Sequence, residues 1–403
     1  MRAGFLSLVA LNAASVLAAP KPTTIDASAP EVTNIDEIAD LAAAAYKTAQ
    51  ELAGGKTKRA NTCDWSKVRV RREWNTLSKS DKQAYIKAVK CLQSKPAKGP
   101  AEFASGAKTR FDDYVAWHLN QTNVIHYTGN FLSYHRYYTW LYEQVLREEC
   151  AYDGTQPYWD WSLTAITGLK KSPIFDGSDT SLSGDGESIG KTPDIVLGAS
   201  SGLPPVYLET GNGGGCVTSG PFKSMSVNLG PAALDLPGGE VQANPNPLEY
   251  NPRCLKRDLS DSVNKRFANS TSVLNNIIKP QNVFDFQMQM QGIPGTGDIG
   301  IHGGGHYALG GDPGRDVYTS PGDPAFYLHH SMIDRVWWIW QMLDPKNRIN
   351  GKDALAGTNT FLNMPPSADT TFDDTIHMAW LGPDKQIKDL MSTQSGPFCY
   401  VYL

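Results

Sequence analysis

The chain has no CxxC pair, no HExxH segment, no excess of charge of one sign and, beyond its first residues, no long apolar run. Each absence removes a class of protein. Without CxxC spacing a zinc-thiolate site has little support, and without HExxH a helix-borne zinc protease lacks its general base. The net charge is −4, with 37 basic and 41 acidic residues dispersed along the sequence. That leaves no basic face for nucleic acid and no polybasic patch for a membrane surface. No later segment reaches the roughly 20 apolar residues that a membrane span needs. Histidine is scarce too, eight in 403 residues, yet four of the eight fall between positions 302 and 330.

That stretch opens IHGGGHYALGG and continues into SPGDPAFYLHHSMIDRVWWIWQ. His302 and His306 are four apart, so a helix would send both imidazoles from one face, about one turn from each other. This is metal-chelate spacing, although a pair satisfied within a core shares it. Gly303, Gly304 and Gly305 lie between them and cost about 0.8–1 kcal/mol each against alanine in a helix. Something must therefore hold the turn or need its backbone close, and a bound ion with a substrate above it would do both. Farther on, Asp323 as N-cap and Pro324 at the first helical position predict a helix through Trp340. Phe326, His330 and Asp334 then share one stripe, with His329 turned about 100° away. The stripe favours His330 as the functional histidine, Phe326 packing on its ring and Asp334 accepting from its other nitrogen.

A second concentration lies in FDDYVAWHLNQTNVIHYTGNFLSYHRYYTWLYEQVLREE. His118, His126 and His135 are spaced eight and nine apart, which no unbroken helix brings to one side. Gly129 and Asn130 supply the break. His118 is expected near the end of one helix, His126 in the connection and His135 on the next helix.

Around these two stretches the chain reads as mainly α, with long loops and few short strands. Residues 1–18 have the pattern of a secretory signal peptide: Arg2, an apolar run from Phe5 to Leu17, and small residues at the cut. Residues 19–59 read as a pro-segment ending at the dibasic Lys58-Arg59, with one weak amphipathic helix from Ile35 to Leu52. Residues 60–403 read as one catalytic domain. The six cysteines all follow Arg59, and an even count in an exported chain suggests three disulfides. The expected pairs are Cys63 with Cys91, Cys150 with Cys399, and Cys216 with Cys254. Ser78 with Asp81 marks a helix start. Tyr158 to Trp161 reads as a short strand, residues 150–248 as Gly/Ser/Pro-rich loops, and helices are expected over 260–278 and 283–291. Asn120 and Asn269 head glycosylation sequons, of which Asn269 is the better acceptor because Asn120 lies between two candidate ligands. Asn61-Thr62-Cys63 is a weak variant sequon.

Two trios of histidine, His118, His126 and His135, then His302, His306 and His330, would leave open coordination positions on each of two ions, the mark of a reactive site. Neutral imidazole suits Cu, Zn, Fe or Ni. No bridging carboxylate and no general base is evident, so hydrolytic zinc chemistry is disfavoured and a redox pair that binds dioxygen is preferred.

FLSYHRYYTWLYE followed by PYWDW, and HGGGH followed by DPAFYLHHSMIDRVWWIWQ, resemble the tyrosinase and polyphenol oxidase family of type-3 copper proteins, especially its short secreted fungal members, which include catechol oxidases. The resemblance covers nearly all of residues 60–403. It implies a central four-helix bundle, two copper ions held by His118, His126 and His135 and by His302, His306 and His330, O2 as co-substrate, and small phenols oxidised to o-quinones. It also bears on detail. Val124 stands where many relatives carry a cysteine bonded to histidine, so that thioether is excluded here. Gly303 replaces an Asn, and Gln291 a Glu, of many monophenol-hydroxylating relatives, which favours o-diphenol oxidation. Tyr307, after the second ligand of its trio, is expected to shape the entrance. Tyr400-Val401-Tyr402 resembles the aromatic pair that closes the catalytic domain in longer relatives, so no C-terminal shielding domain is expected and any latency falls to the pro-segment. A haemocyanin-like oxygen carrier without turnover and a dizinc hydrolase are the alternatives.

Overall fold

The computed structural model describes residues 30–54, 63–198 and 202–403. The proposed signal peptide, Lys58-Arg59 and Asn61 lie outside them. Helices dominate: α1 (Pro30–Gly54), α2 (Lys79–Ser94), α3 (Arg110–Ile125), α4 (Phe131–Cys150), α5 (Trp161–Thr167), α6 (Asp261–Phe267), α7 (Ser270–Ile278), α8 (Val283–Gln291), α9 (Gly300–Leu309), α10 (Ala325–Leu343) and α11 (Pro345–Arg348). Strands are two to four residues long and pair two by two.

Local chemistry sets most helix ends. Ser78 Oγ accepts from Asp81 N at the start of α2, and Thr109 with Asp112 forms a reciprocal capping box on α3, each satisfying backbone donors that a helix start leaves unpaired. The expected helix over 260–278 is two helices. Asn269 Oδ1 accepts from Ser272 N and caps α7, so the chain breaks after Phe267. The run 158–161 is not a strand either: Tyr158 makes one bridge to Glu73, and Asp160 caps α5, which begins at Trp161. The helix expected from Asp323 begins at Ala325. Asp323 still accepts from Ala325 N, at 2.8 Å, and its other bonds go to Arg257.

α4 and α10 pack at the centre, with α2 and α3 beside α4, and α7, α9 and α1 against α10. One continuous apolar cluster runs from Ile38 of α1 to Tyr402 near the C-terminus. Nearly all of α10 is buried, including Trp337, Trp338 and Trp340 and the polar His330, Asp334 and Gln341.

The disulfides are Cys63–Cys399, Cys91–Cys150 and Cys216–Cys254, so two of the three expected pairs are replaced. The strand Tyr400–Tyr402 runs parallel to Arg69–Arg71 and carries Cys399 to Cys63. The packing of α2 on α4 carries Cys91 to Cys150. Among the described residues no helix is long and apolar enough to cross a membrane, which together with three disulfides is consistent with export. Asn120 is exposed on α3. Asn269 is not the freer acceptor: its amide donates to Lys265 O while its oxygen caps α7.

Candidate metal centre

The capping box fixes where α3 begins, and its ninth residue, His118, is fully buried, mid-helix rather than near the end. His118 Nδ1 lies 3.0 Å from Tyr318 O. α3 ends at Ile125 with His126 as its extended C-cap. His126 Nδ1 sits 3.0 Å from Thr122 O. Tyr127 takes a positive φ of 50°, and the chain turns into α4, where His135 Nδ1 is 2.8 Å from Phe131 O. Each carbonyl takes the Nδ1 proton, so the Nε2 lone pair of each ring points inward. The Nε2 atoms of His118 and His135 are 3.5 Å apart.

The second group is built by α9 and α10. His306 Nδ1 is 3.3 Å from Gly314 O, and His306 Nε2 is 3.4 Å from His330 Nε2. His302 Nε2 and His330 Nδ1 are buried without partners. Candidate ligand nitrogens lie within 4.8 Å of one another in each group, His118, His126 and His135 in one and His302, His306, His329 and His330 in the other. The two groups are adjacent, with the His135 and His330 rings stacked at 4.5 Å.

Burial sets the charge state of these rings. His126 is pushed down to about 4 and His306 to about 3. His118, His135, His302, His329 and His330 are held well below the ordinary imidazole range by burial, with neighbouring imidazoles adding to it. All seven are neutral lone-pair donors at neutral pH. Orphaned buried nitrogens and lone pairs facing one another at 3.4–3.5 Å are costly in a dry interior, and a cation bound between them removes the cost. The donor set is all imidazole, which suits copper or zinc and not calcium or magnesium.

His329 leaves α10 about 100° from His330, which by helix geometry alone turns it away from the site. The structure brings it in. Its ring is 4.5 Å from that of His306 and stacks on His302 at 5.6 Å, and both its nitrogens are buried without a partner. The glycines between His302 and His306 serve this packing. A Cβ on Gly305 would collide with the His329 ring, and one on Gly304 would lie 2.8 Å from Phe267 Cβ. Only Gly303 is half-exposed, its Cβ position 3.1 Å from Ile299 Cβ. The close approach that the triple glycine implied is thus made by side chains of this chain.

The other singled-out residues divide. Phe326 lies 4.1 Å from the His330 ring and also edges His118 and His306. Asp334 does not hold His330. It is taken up by Arg71, Arg136, Tyr400 and Tyr402. Gln291 Oε1 accepts from Tyr127 N at 2.7 Å, and Tyr127 OH donates to Gln291 O at 2.6 Å, so Gln291 clamps the backbone just after His126. Tyr307 donates its hydroxyl to Asp235. Val124 is exposed.

Residues 108–343 match the sequence profile of the common central domain of tyrosinase. The chain belongs to the tyrosinase family. It is 40% identical to tyrosinase P of Aspergillus terreus over 334 residues, 83% of this chain and 91% of that protein. It is 39% identical to an N-acetyl-6-hydroxytryptophan oxidase of Emericella nidulans over 352 residues, 84% and 93% of the two chains. Among solved structures, a variant of the polyphenol oxidase from Thermothelomyces thermophila superposes with a TM-score of 0.83 at 42% identity, covering 91% of this chain and 98% of that one. Tyrosinase-family proteins are type-3 copper oxidases with O2 as the usual co-substrate, and the two histidine groups here can hold two copper ions. The mainly helical fold read from the sequence is the fold of the family.

Proposed function

We propose that this chain is a secreted dicopper oxidase that uses O2 to convert o-diphenols to o-quinones. One copper is held by His118, His126 and His135, the other by His302, His306 and His330. The observation that carries the reading is the pair of adjacent, buried, all-imidazole groups, in which no carboxylate takes part among the described residues. Bound copper supplies the redox chemistry with O2, two catechols yielding two quinones and two waters per O2 consumed. His329 packs behind the second trio and keeps His302 and His306 in place.

The protein's contribution is placement. Backbone carbonyls at Thr122, Phe131, Gly314 and Tyr318 orient four of the rings, and ligands fixed in this way stay in register when the metal changes state. Phe326 packs against rings of both trios. Gly303 and Tyr307, the half-exposed residues of α9, flank the entrance, where a flat ring approaches. Gly303 offers no side chain and Gln291 commits its amide to Tyr127, so neither can take a proton from a monophenol. That supports o-diphenols over monophenols as substrates.

Oxygen uptake by copper-loaded protein on tyrosol and on its catechol counterpart tests this. Rapid uptake with the catechol, a marked lag or none with tyrosol, and loss of both on copper chelation are expected. Copper-loaded protein that binds O2 reversibly without oxidising 4-tert-butylcatechol would be a carrier, and a preparation holding zinc without copper would favour a hydrolase.

A further inference from the structure

Tyr307 stands one residue beyond His306 on α9, and its hydroxyl donates to Oδ2 of Asp235. Asp235 belongs to another part of the chain, the hairpin in which Leu234–Asp235 pairs with Val241–Gln242. Two further contacts pin this hairpin to the centre. Asp316 Oδ2 accepts from Ala232 N at 2.6 Å and Ala233 N at 3.1 Å, and the segment that carries Asp316 also supplies Gly314 O to His306. The contacts close a ring: from α9 through His306 to residues 314–316, across to 232–235, and back to α9 through Tyr307.

We infer that Asp235 is a positioning residue for substrate selection, holding the Tyr307 ring as a fixed wall beside His306. A hydrogen bond from a phenol to a carboxylate is among the strong ones. Without Asp235 the hydroxyl of Tyr307 loses its acceptor and the ring is free to take other staggered rotamers. With its hydroxyl tethered, the ring keeps one position, and a substituent on the far side of a bound catechol meets a surface that does not yield. The inference rests on the proposed entry of catechols over Gly303 and Tyr307. Its consequence is that the size of the accepted 4-substituent is set partly by a residue on a distant hairpin.

Asp235→Ala, Tyr307→Phe and the double variant decide it, measured with catechol and 4-tert-butylcatechol. Each single change should alter the ratio of the two KM values at least threefold, with a smaller effect on kcat. The double variant should match the singles, because both remove the same bond. Asp235→Asn, which keeps an acceptor oxygen, should fall between wild type and Asp235→Ala. In a crystal structure of metal-free Asp235→Ala the Tyr307 ring should leave its wild-type rotamer. A KM ratio unchanged in both single variants, effects that multiply in the double, or a Tyr307 ring that stays in place overturns the inference. If Asp235→Ala does not fold, Tyr307→Phe and Asp235→Asn carry the same comparison. Failure of the proposed function looks different: wild type itself would then show no copper-dependent uptake with either catechol.

Discussion

Arg136 and Asp334 pair at 2.6 Å across α4 and α10. Arg136 follows His135 directly and Asp334 is one turn beyond His330, so the ion pair ties the two trios together through the helices that carry them. It sits in a buried cluster. Arg71 pairs with Glu143 and lies 3.4 Å from Asp334, Tyr400 and Tyr402 both donate to Asp334 at 2.6 Å, and the Arg136 guanidinium lies over Trp337. Although burial raises it, the Asp334 carboxyl is held below the usual range by Arg136 and Arg71.

Asp334→Ala removes the common acceptor and leaves Arg136 buried without a carboxylate. Breaking a buried pair of this kind costs about 3–5 kcal/mol. Urea unfolding of the metal-free protein should show that loss, and copper retention on dialysis should fall because the spacing of α4 and α10 is no longer fixed. A loss under about 1 kcal/mol, the range of exposed ion pairs, would mean the cluster is not what holds the helices.

The histidines predict an acid-labile fold. In the unfolded chain imidazoles take up protons below 6.5, whereas the folded protein keeps His126 neutral to about 4 and His306 to about 3. Folded values are depressed, so stability is complete above pH 6.5 and is lost as the pH falls toward 4. Each such group contributes about 1.4 kcal/mol per pH unit over that window. Urea midpoints of metal-free protein should drop steeply between pH 6.5 and 4.5 and be flat from 7 to 8. Copper-loaded protein should resist until protons displace the metal. A flat metal-free profile down to pH 5 would show that the rings are not buried as a neutral group.

Gly303 and Gly305, two residues apart, should behave oppositely. A Cβ at Gly303 needs a few tenths of an ångström from Ile299, while one at Gly305 meets the His329 ring. Gly303→Ala should fold with wild-type copper content and lie within about 1 kcal/mol of wild-type stability, since alanine also favours the helix. Gly305→Ala should displace His329 and through it His302 and His306, at about 1–3 kcal/mol for overpacking and with copper lost mainly from the second trio. Equal behaviour of the two would remove His329 from the account of the site.

How far the sequence carries can be read from particular residues. The two histidine concentrations were legible because histidine is rare here; helix spacing paired His302 with His306, whereas His118, His126 and His135 meet only across the break between α3 and α4. Ser78 marks a helix start through a bond spanning three residues, and local bonds of this kind are what pattern reasoning captures. Asp334 was misread because its partners Arg71 and Arg136 are 263 and 198 residues away. The stripe on α10 gave its direction but not what waited there. Cys63 and Cys399, 336 residues apart, meet only because the last strand lies beside an early one. His329 entered the site through the packing of α9 on α10, for which Gly305 was the available signal: a glycine one residue before His306 marks a close neighbour.

Ile38, Ala42, Ala45 and Ala49 form one buried stripe that packs on α7 and α10. Asn34 donates to Thr271 at 2.8 Å, and Gln394 donates to Ala49 O at 3.0 Å. α1 borders a cavity lined by Arg335, which leaves α10 about 140° from His330, so the helix covers the back of α10 and not the entrance. Cut after Arg59, it would have no disulfide to the remainder, since every cysteine lies beyond that point. The apolar stripe and these two hydrogen bonds should then keep it in place. Cleaved protein should run as one particle in native mass spectrometry, separate into two chains on denaturation, and oxidise catechol at the uncleaved rate. Ala45→Glu should destabilise the uncut chain by about 1–3 kcal/mol from overpacking, with desolvation of the carboxylate adding to it, and should release the helix once cut. A rise in catechol turnover on cleavage would instead mean that residues before Arg59 obstruct the site, which the position of α1 behind α10 argues against.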